Sequence, residues 1–309
     1  MAKVLITSEY FGRFSPKARD LLVQAGLTVI DNPYGHTFLT PEQIIPHIGE
    51  ADAVICDLEK ITREVIDAAP NLKIIARRGV GVDSVDCAYA AEKGIEVSRT
   101  TGVLDNAVAE LVMAYILQFT RRVADMNVQM HDGVWEKLLS ASVERKTLGI
   151  IGMGHIGAVV AKRAAAFDMN IVYHDVVRNE AAEAMYGARY VSMDELLAES
   201  DFVSLHCALI DSTRGLMNLD LMRKMKPSAY LINTARGPVV NQPDLYQAVK
   251  SGMIAGAAID VFDHEPETES IFKELPQVIL TPHIASFTYE IFIDMSVSAA
   301  QSVIRKLNA

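Results

Sequence analysis

The run Leu148-Gly149-Ile150-Ile151-Gly152-Met153-Gly154-His155-Ile156-Gly157 constrains this chain more than any other stretch. An apolar strand leads into G-x-G-x-x-G, and an alanine-rich helix follows. Gly152 permits a tight turn out of the strand. Gly154, lacking a Cβ, lets backbone N–H groups approach a pyrophosphate, and Gly157 lets the helix pack close to the strand. The positive end of that helix then faces the phosphates. His155 and Ile156 occupy its first turn and join the three glycines as candidate cofactor-binding residues. A second apolar stretch, Met169 to His174, ends at Asp175. Asp175 lies about 20 residues beyond the glycines, where a carboxylate accepts hydrogen bonds from the adenine ribose and repels a 2′-phosphate. Arg178 is close enough in sequence to serve a phosphate, but Asp175 favours NAD over NADP.

A dinucleotide fingerprint usually opens a domain, yet here roughly half of the chain precedes it. The 309 residues suffice for one large or two medium domains. Before the fingerprint, Lys3–Thr7, Thr28–Ile30, Ala53–Cys56, Lys73–Ala76 and Glu96–Ser98 read as strands. Helices fit between them. Ser15-Pro16 and Thr40-Pro41 are helix starts, and Gln43 completes a capping box. Gly26 and Gly94 fall where helices stop. A second series follows: Thr147–Ile151, Asn170–His174, Phe202–Leu205, Ala229–Ile232, Ala255–Ile259 and Val278–Leu280. Ser192 and Glu195 cap a helix inside it. Such alternation predicts α/β architecture, with parallel sheets flanked by helices.

Two long helices remain, from about Asp105 to Arg121 and from about Phe287 to Leu307. They read as crossovers. The expected organisation is a nucleotide domain at 101–285 inserted into a substrate-binding domain made of 1–100 plus 286–309. Substrate and nicotinamide are expected in the cleft between them.

The net charge of −10 argues against nucleic acid or an anionic membrane as partner, so an anionic substrate needs a local cationic pocket. Cys56, Cys87 and Cys207 are far apart and show no metal-ligand spacing. No metal is expected, and the thiols fit a reducing compartment, the cytoplasm. The apolar run at Met1–Ile6 is too short for a signal peptide. The apolar helix from Ala107 to Phe119 carries Glu110 and Gln118 and falls short of a membrane span.

Three later segments place polar residues just past predicted strands: Asn233-Thr234-Ala235-Arg236-Gly237, Asp260-Val261-Phe262-Asp263-His264-Glu265-Pro266, and Thr281-Pro282-His283-Ile284-Ala285-Ser286. Open α/β sheets bind ligands at that rim. Thr234, Ala235, Arg236, Asp260, His283 and Ala285 therefore join the cofactor-binding candidates. The residue types suit hydride transfer. Reducing a carbonyl requires a proton for the nascent alkoxide, and histidine titrates in the useful range. A carboxylate paired with it orients the ring and favours its protonated form. An arginine can hold a substrate carboxylate through two parallel hydrogen bonds. His283, Glu265 and Arg236 can fill these catalytic roles.

With these residues in view, the chain resembles the D-isomer-specific 2-hydroxyacid dehydrogenase family, nearest its D-3-phosphoglycerate dehydrogenase-like branch. The matching segments are Arg77 to Asp86, Val108-Ala109-Glu110-Leu111, the fingerprint, Asn233 to Gly237, Asp260-Val261-Phe262, Glu265-Pro266 and Thr281-Pro282-His283. The resemblance implies two Rossmann-like domains, the substrate domain flavodoxin-like. It implies NAD-linked interconversion of a small anionic D-2-hydroxy acid and its 2-oxo acid, and a homodimer formed through the nucleotide domains. It also implies His283 as acid/base, Glu265 as its partner, Arg236 as substrate anchor and Asp260 near the nicotinamide amide. Backbone N–H groups around Gly79, Val80 and Gly81 would receive the substrate carboxylate.

Some positions depart from the family pattern. His206-Cys207-Ala208-Leu209 stands where His-x-Pro-Leu is common. Arg78 stands beside Arg77 where a small or uncharged residue is common. Together with Arg77, it reads either as a site for a second negative charge on the substrate, as in 3-phosphoglycerate, or as a surface arginine paired with a nearby acid. A glyoxylate or hydroxypyruvate reductase is the alternative substrate reading. An NAD-sensing corepressor is the alternative outside catalysis.

Overall fold

Runs of valine, isoleucine and leucine, punctuated by helix caps, build two separate parallel sheets. The computed structural model describes residues 1–35 and 37–308, and the statements below concern those residues. The chain divides into two compact units. One is Met1–Leu104 with Ser286–Ala309, and the other is Asp105–Ala285.

The first unit holds β1 (Lys3–Ile6), β2 (Thr28–Ile30), β3 (Ala53–Cys56), β4 (Ile74–Arg77) and β5 (Glu96–Arg99). Their order is β2-β1-β3-β4-β5, and every pairing is parallel. This is the flavodoxin-like order. Successive side chains on a strand point to opposite faces. Leu5, Val54 and Ile75 accordingly pack on one face with Ile44, Ile48 and Val65. Val4, Ile6, Ile55 and Ile74 pack on the other with Leu22. The helix Tyr289–Leu307 completes that second layer with Ala299, Ala300 and Val303. Thr40 and Gln43 form the expected capping box. Gly26 and Gly94 follow their helices at φ +78° and +73°.

The second unit holds β6 (Thr147–Ile151), β7 (Asn170–His174), β8 (Arg189–Tyr190), β9 (Phe202–Leu205), β10 (Tyr230–Asn233), β11 (Gly256–Ile259) and β12 (Val278–Leu280). The order β12-β11-β10-β9-β6-β7-β8 is again parallel throughout. It reverses between β6 and β9, so β6 starts both wings of a Rossmann-type sheet, and a ligand crevice belongs at the carboxyl end of β6. Leu148, Ile150, Tyr173 and Ile232 face one layer, which includes the helix Asp105–Arg121. Ile151, Val203, Leu231 and Ile259 face the other. The predicted strands recur within a residue or so. Not anticipated are the two-residue β8 and a helix at Val123–His131. No helix among the described residues is long and apolar enough to cross a membrane.

Candidate active site

At the end of β6 the chain turns at Gly152, whose φ is +97°. A side chain there would strain the backbone, and its Cβ would lie 2.7 Å from the His206 carbonyl carbon and the Cys207 nitrogen. A Cβ on Gly157 would overlap the Gly152 carbonyl oxygen, so the helix His155–Ala166 rests directly on the turn. Gly154 caps that helix, and a Cβ on it would meet nothing within 4 Å. Protein thus fills the close sides of the turn. The open side lies at the helix N-terminus, where N–H groups favour an anion. His155 is exposed there and Ile156 is half-buried.

Asp175 follows β7. Its Oδ2 accepts the Met153 N–H at 2.6 Å, and its Oδ1 accepts the Val177 N–H at 3.3 Å. The carboxylate is therefore fixed beside the glycine turn, with lone pairs left for a ribose diol. Arg178 donates twice to Glu183, each bond 2.7 Å. Glu183 also accepts the Tyr173 hydroxyl, and these bonds, from Arg178 first, hold its carboxyl down to about 2. Arg178 is thus committed to Glu183. The glycine cradle, the helix terminus and Asp175 fit NAD, a dinucleotide without a 2′-phosphate.

Two buried polar side chains at neighbouring strand ends shape the rest of the rim. Asn233 closes β10. Its Nδ2 donates to the Arg236 carbonyl at 2.9 Å, and its Oδ1 accepts the Ala235 N–H at 3.0 Å. One carboxamide thereby folds the turn that carries Thr234, Ala235 and Arg236. Thr234 Oγ1 is buried with no hydrogen-bond partner among the described residues. Arg236 is half-buried, and its Nη1 donates to the Ala235 carbonyl at 2.7 Å.

Asp260 follows β11 and is fully buried. Its Oδ1 accepts the Thr281 hydroxyl at 2.6 Å and the Ile284 N–H at 2.8 Å. Its Oδ2 accepts the Ala285 N–H at 2.9 Å. Its backbone carbonyl accepts the His283 N–H at 2.8 Å. The family resemblance implies a place for Asp260 near the nicotinamide amide. Within the protein its carboxylate frames the 281–285 loop.

That frame holds His283 at φ +52°, a left-handed backbone that a non-glycine residue adopts only when its surroundings impose it. His283 Nδ1 lies 2.7 Å from Glu265 Oε2, and Glu265 Oε1 accepts the Phe262 N–H at 3.0 Å. Burial opposes ionisation of Glu265. The hydrogen bond and charge of His283, the Phe262 N–H and the Arg236 charge outweigh it and leave the carboxyl below its ordinary value. With Nδ1 taken by Glu265, Nε2 is the ring nitrogen left for proton exchange. His283 and Glu265 are therefore in direct contact, and the Arg236 charge acts on Glu265.

The candidates of the first unit lie at the end of β4. Arg77 is buried, and its Nη1 donates to the Arg78 carbonyl. Two expectations are corrected here. Arg78 was expected to bind substrate, but its side chain is 0% exposed. Its Nη1 donates to Asp57 Oδ1 at 2.7 Å and to Ser8 Oγ at 2.8 Å, its Nε to Ser296 Oγ at 3.1 Å, and its Nη2 to the Phe292 carbonyl at 3.2 Å. A guanidinium with all three nitrogens committed inside the fold is an internal strut. The alternative reading was right about the acid partner and wrong about the surface. The second correction is Gly79, whose N–H donates to Thr100 Oγ1 at 2.8 Å and so does not await a carboxylate. Val80 and Gly81, both half-buried, remain the N–H candidates.

Beside that strut, burial first and the Asp57 charge second push the Glu59 carboxyl up to about 7. Between its ordinary value and 7 the folded chain holds a proton that the unfolded chain has released. Stability is therefore lost as pH rises through this window. Glu59→Gln removes the dependence. Relative to the parent, its thermal midpoint is expected to rise between pH 5 and pH 8. A difference that stays flat across that range would show that Glu59 does not titrate there.

The motifs gave no role to Tyr115, whose hydroxyl meets Thr281 Oγ1, or to Asn233 as the frame of the Arg236 turn. A tyrosine on the apolar face of the crossover helix was the available signal, since a buried phenol needs a polar partner.

A parallel sheet with one reversal of strand order, a dinucleotide cradle at that reversal and a histidine–carboxylate pair on the same rim describe a dinucleotide-linked oxidoreductase. Residues 113–285 match the family described as D-isomer specific 2-hydroxyacid dehydrogenase, NAD binding domain. The chain is 42% identical to a glyoxylate reductase of Thermofilum pendens over 86% of this chain and 81% of that one. It is 39% identical to a hydroxypyruvate reductase of Thermotoga maritima over 87% and 89% of the two chains. A solved D-lactate dehydrogenase of Aquifex aeolicus, complexed with NAD and lactic acid, superposes with a TM-score of 0.86 at 29% identity, covering 99% of this chain and 95% of that one. The chain belongs to the D-isomer-specific 2-hydroxyacid dehydrogenase family and is an NAD-dependent oxidoreductase.

Proposed function

We propose that the protein reduces a small 2-oxo acid with a single carboxylate, glyoxylate and hydroxypyruvate foremost, to the 2-hydroxy acid. The observation that carries this reading is His283 held 2.7 Å from Glu265 on the same rim as the dinucleotide cradle. When bound, NADH supplies the hydride for the carbonyl carbon. His283 Nε2 donates the proton to the carbonyl oxygen, and Glu265 holds the ring by Nδ1. Arg236 grips the substrate carboxylate and polarises the adjacent carbonyl. The glyoxylate and hydroxypyruvate reductases above support the small substrate. So does the internal role of Arg78, which removes the main reason to expect a second anionic group. In an NADH-oxidation panel, glyoxylate and hydroxypyruvate are expected to exceed phosphohydroxypyruvate and sulfopyruvate in kcat/KM by about tenfold or more. The reverse ranking would restore the doubly anionic substrate.

We further propose a homodimer formed through the second unit, in the reducing cytoplasm that the free thiols of Cys56, Cys87 and Cys207 suit. The helix Val123–His131 buries none of its residues, while Trp135 and Leu139 are 80% and 97% exposed. Large apolar side chains exposed along one stretch of chain suit an interaction surface, and a second copy related by two-fold symmetry covers it on both chains at once. Light scattering is expected to give twice the 33.9 kDa of one chain, with Trp135→Ser weakening the association. A particle of one chain mass at every concentration would exclude the dimer.

A further inference from the structure

Tyr115 lies on the helix Asp105–Arg121 and is 3% exposed. Its hydroxyl meets Thr281 Oγ1. Thr281 gives its single hydroxyl proton to Asp260 Oδ1 at 2.6 Å. The direction of the chain follows: Tyr115 donates to Thr281, and Thr281 donates to Asp260. Asp260 in turn receives the N–H groups of Ile284 and Ala285 at 2.8 Å and 2.9 Å, and its carbonyl receives that of His283 at 2.8 Å. We infer that Tyr115 is a positioning residue for the reaction, acting through Thr281 and Asp260 on the backbone that carries His283. This rests on the reading of His283 as the acid/base.

The physical reason lies in the left-handed backbone of His283. Such a conformation persists only where several contacts over-determine it. Asp260 supplies those contacts, and its two oxygens must keep their orientation to do so. Thr281 sets that orientation from the side-chain end, because its hydroxyl binds the same oxygen as the Ile284 N–H. Thr281 can rotate about its Cα–Cβ bond, and the Tyr115 hydroxyl, fixed on a packed helix, holds it in the donating rotamer. Without that hydroxyl, Thr281 is free to turn its proton elsewhere. The loop then loosens at the residue whose ring must meet the substrate.

Tyr115→Phe removes a single hydroxyl from a buried ring. Its kcat is expected to fall about tenfold, with the Kd for NADH by fluorescence within about twofold of the parent. Thr281→Val is expected to lose at least as much, and Thr281→Ser, which keeps the hydroxyl, to recover most of that loss. The double variant Tyr115→Phe/Thr281→Val is expected to be no slower than Thr281→Val alone, because both cut the same chain. Parental kcat in Tyr115→Phe with only a lower thermal midpoint would reduce Tyr115 to packing. Fully additive losses in the double variant would also overturn the chain. His283→Gln separates the two levels. If it abolishes turnover while Tyr115→Phe has none of the expected effect, only the positioning role fails. If it keeps parental turnover, the acid/base reading fails and the positioning role with it.

Discussion

Replacing His283 by glutamine is expected to lower turnover by about a thousandfold and to leave the Kd for NADH within about twofold. Glutamine is close to histidine in reach, and its amide can still donate to Glu265. It cannot release a proton to an alkoxide near neutral pH. The loss therefore falls on the chemical step. Cofactor affinity is spared because the candidates for the pyrophosphate and the adenine ribose lie elsewhere: the turn at Gly152, the open face at Gly154 and the Asp175 carboxylate held by Met153. Stopped-flow hydride transfer alongside NADH fluorescence separates the two quantities. A variant that keeps turnover within about tenfold of the parent would remove His283 from the acid/base role.

Arg236→Lys is expected to lower kcat/KM for the 2-oxo acid by about a hundredfold or more, with both parameters affected. Lysine keeps the charge and with it the electrostatic support of Glu265, to which Arg236 contributes. It loses the planar fork that matches a carboxylate through two bonds. A kcat/KM close to that of the parent would show that Arg236 acts only as a nearby positive charge. Arg236→Met should cost more than Arg236→Lys, because it also removes that charge.

The fold was legible wherever hydrophobic periodicity was strong. Strands such as Ala53–Cys56 and Phe202–Leu205 are buried along their whole length, so their sequences are apolar, the second broken only by Ser204. Arg189–Tyr190 is an exposed two-residue edge strand with nothing to distinguish it from a loop. Helix Val123–His131 buries no residue, so no core layer of the chain marks it out. In the candidate site, the glycine turn and the polar segments were legible because each follows a strand end, where chemistry-bearing residues stand out against apolar runs. Arg78 was misread for a different reason. Its socket is assembled from Asp57, 21 residues away in sequence, and Ser296, 218 residues away. A charge looks available until the fold brings its partners. Gly79 repeats the lesson with Thr100, also 21 residues distant. Tyr115 and Thr281 are 166 residues apart, and no local pattern joins them.

The division of the chain also sets an order of synthesis. The second unit is one continuous segment, Asp105–Ala285, and every strand of its sheet has been synthesised before residues 286–309 are made. The first unit is split. Its five strands emerge early, but one layer of its core lacks Ala299, Ala300 and Val303 until the final helix appears. Domains fold as units during translation, so the part begun first is the part finished last. Throughout that interval the face awaiting the C-terminal helix is an apolar surface exposed to water. A nascent chain that stalls or is cut short after residue 285 would therefore expose a fixed patch, centred on Val4, Ile6, Ile55 and Ile74, to chaperones and to other chains.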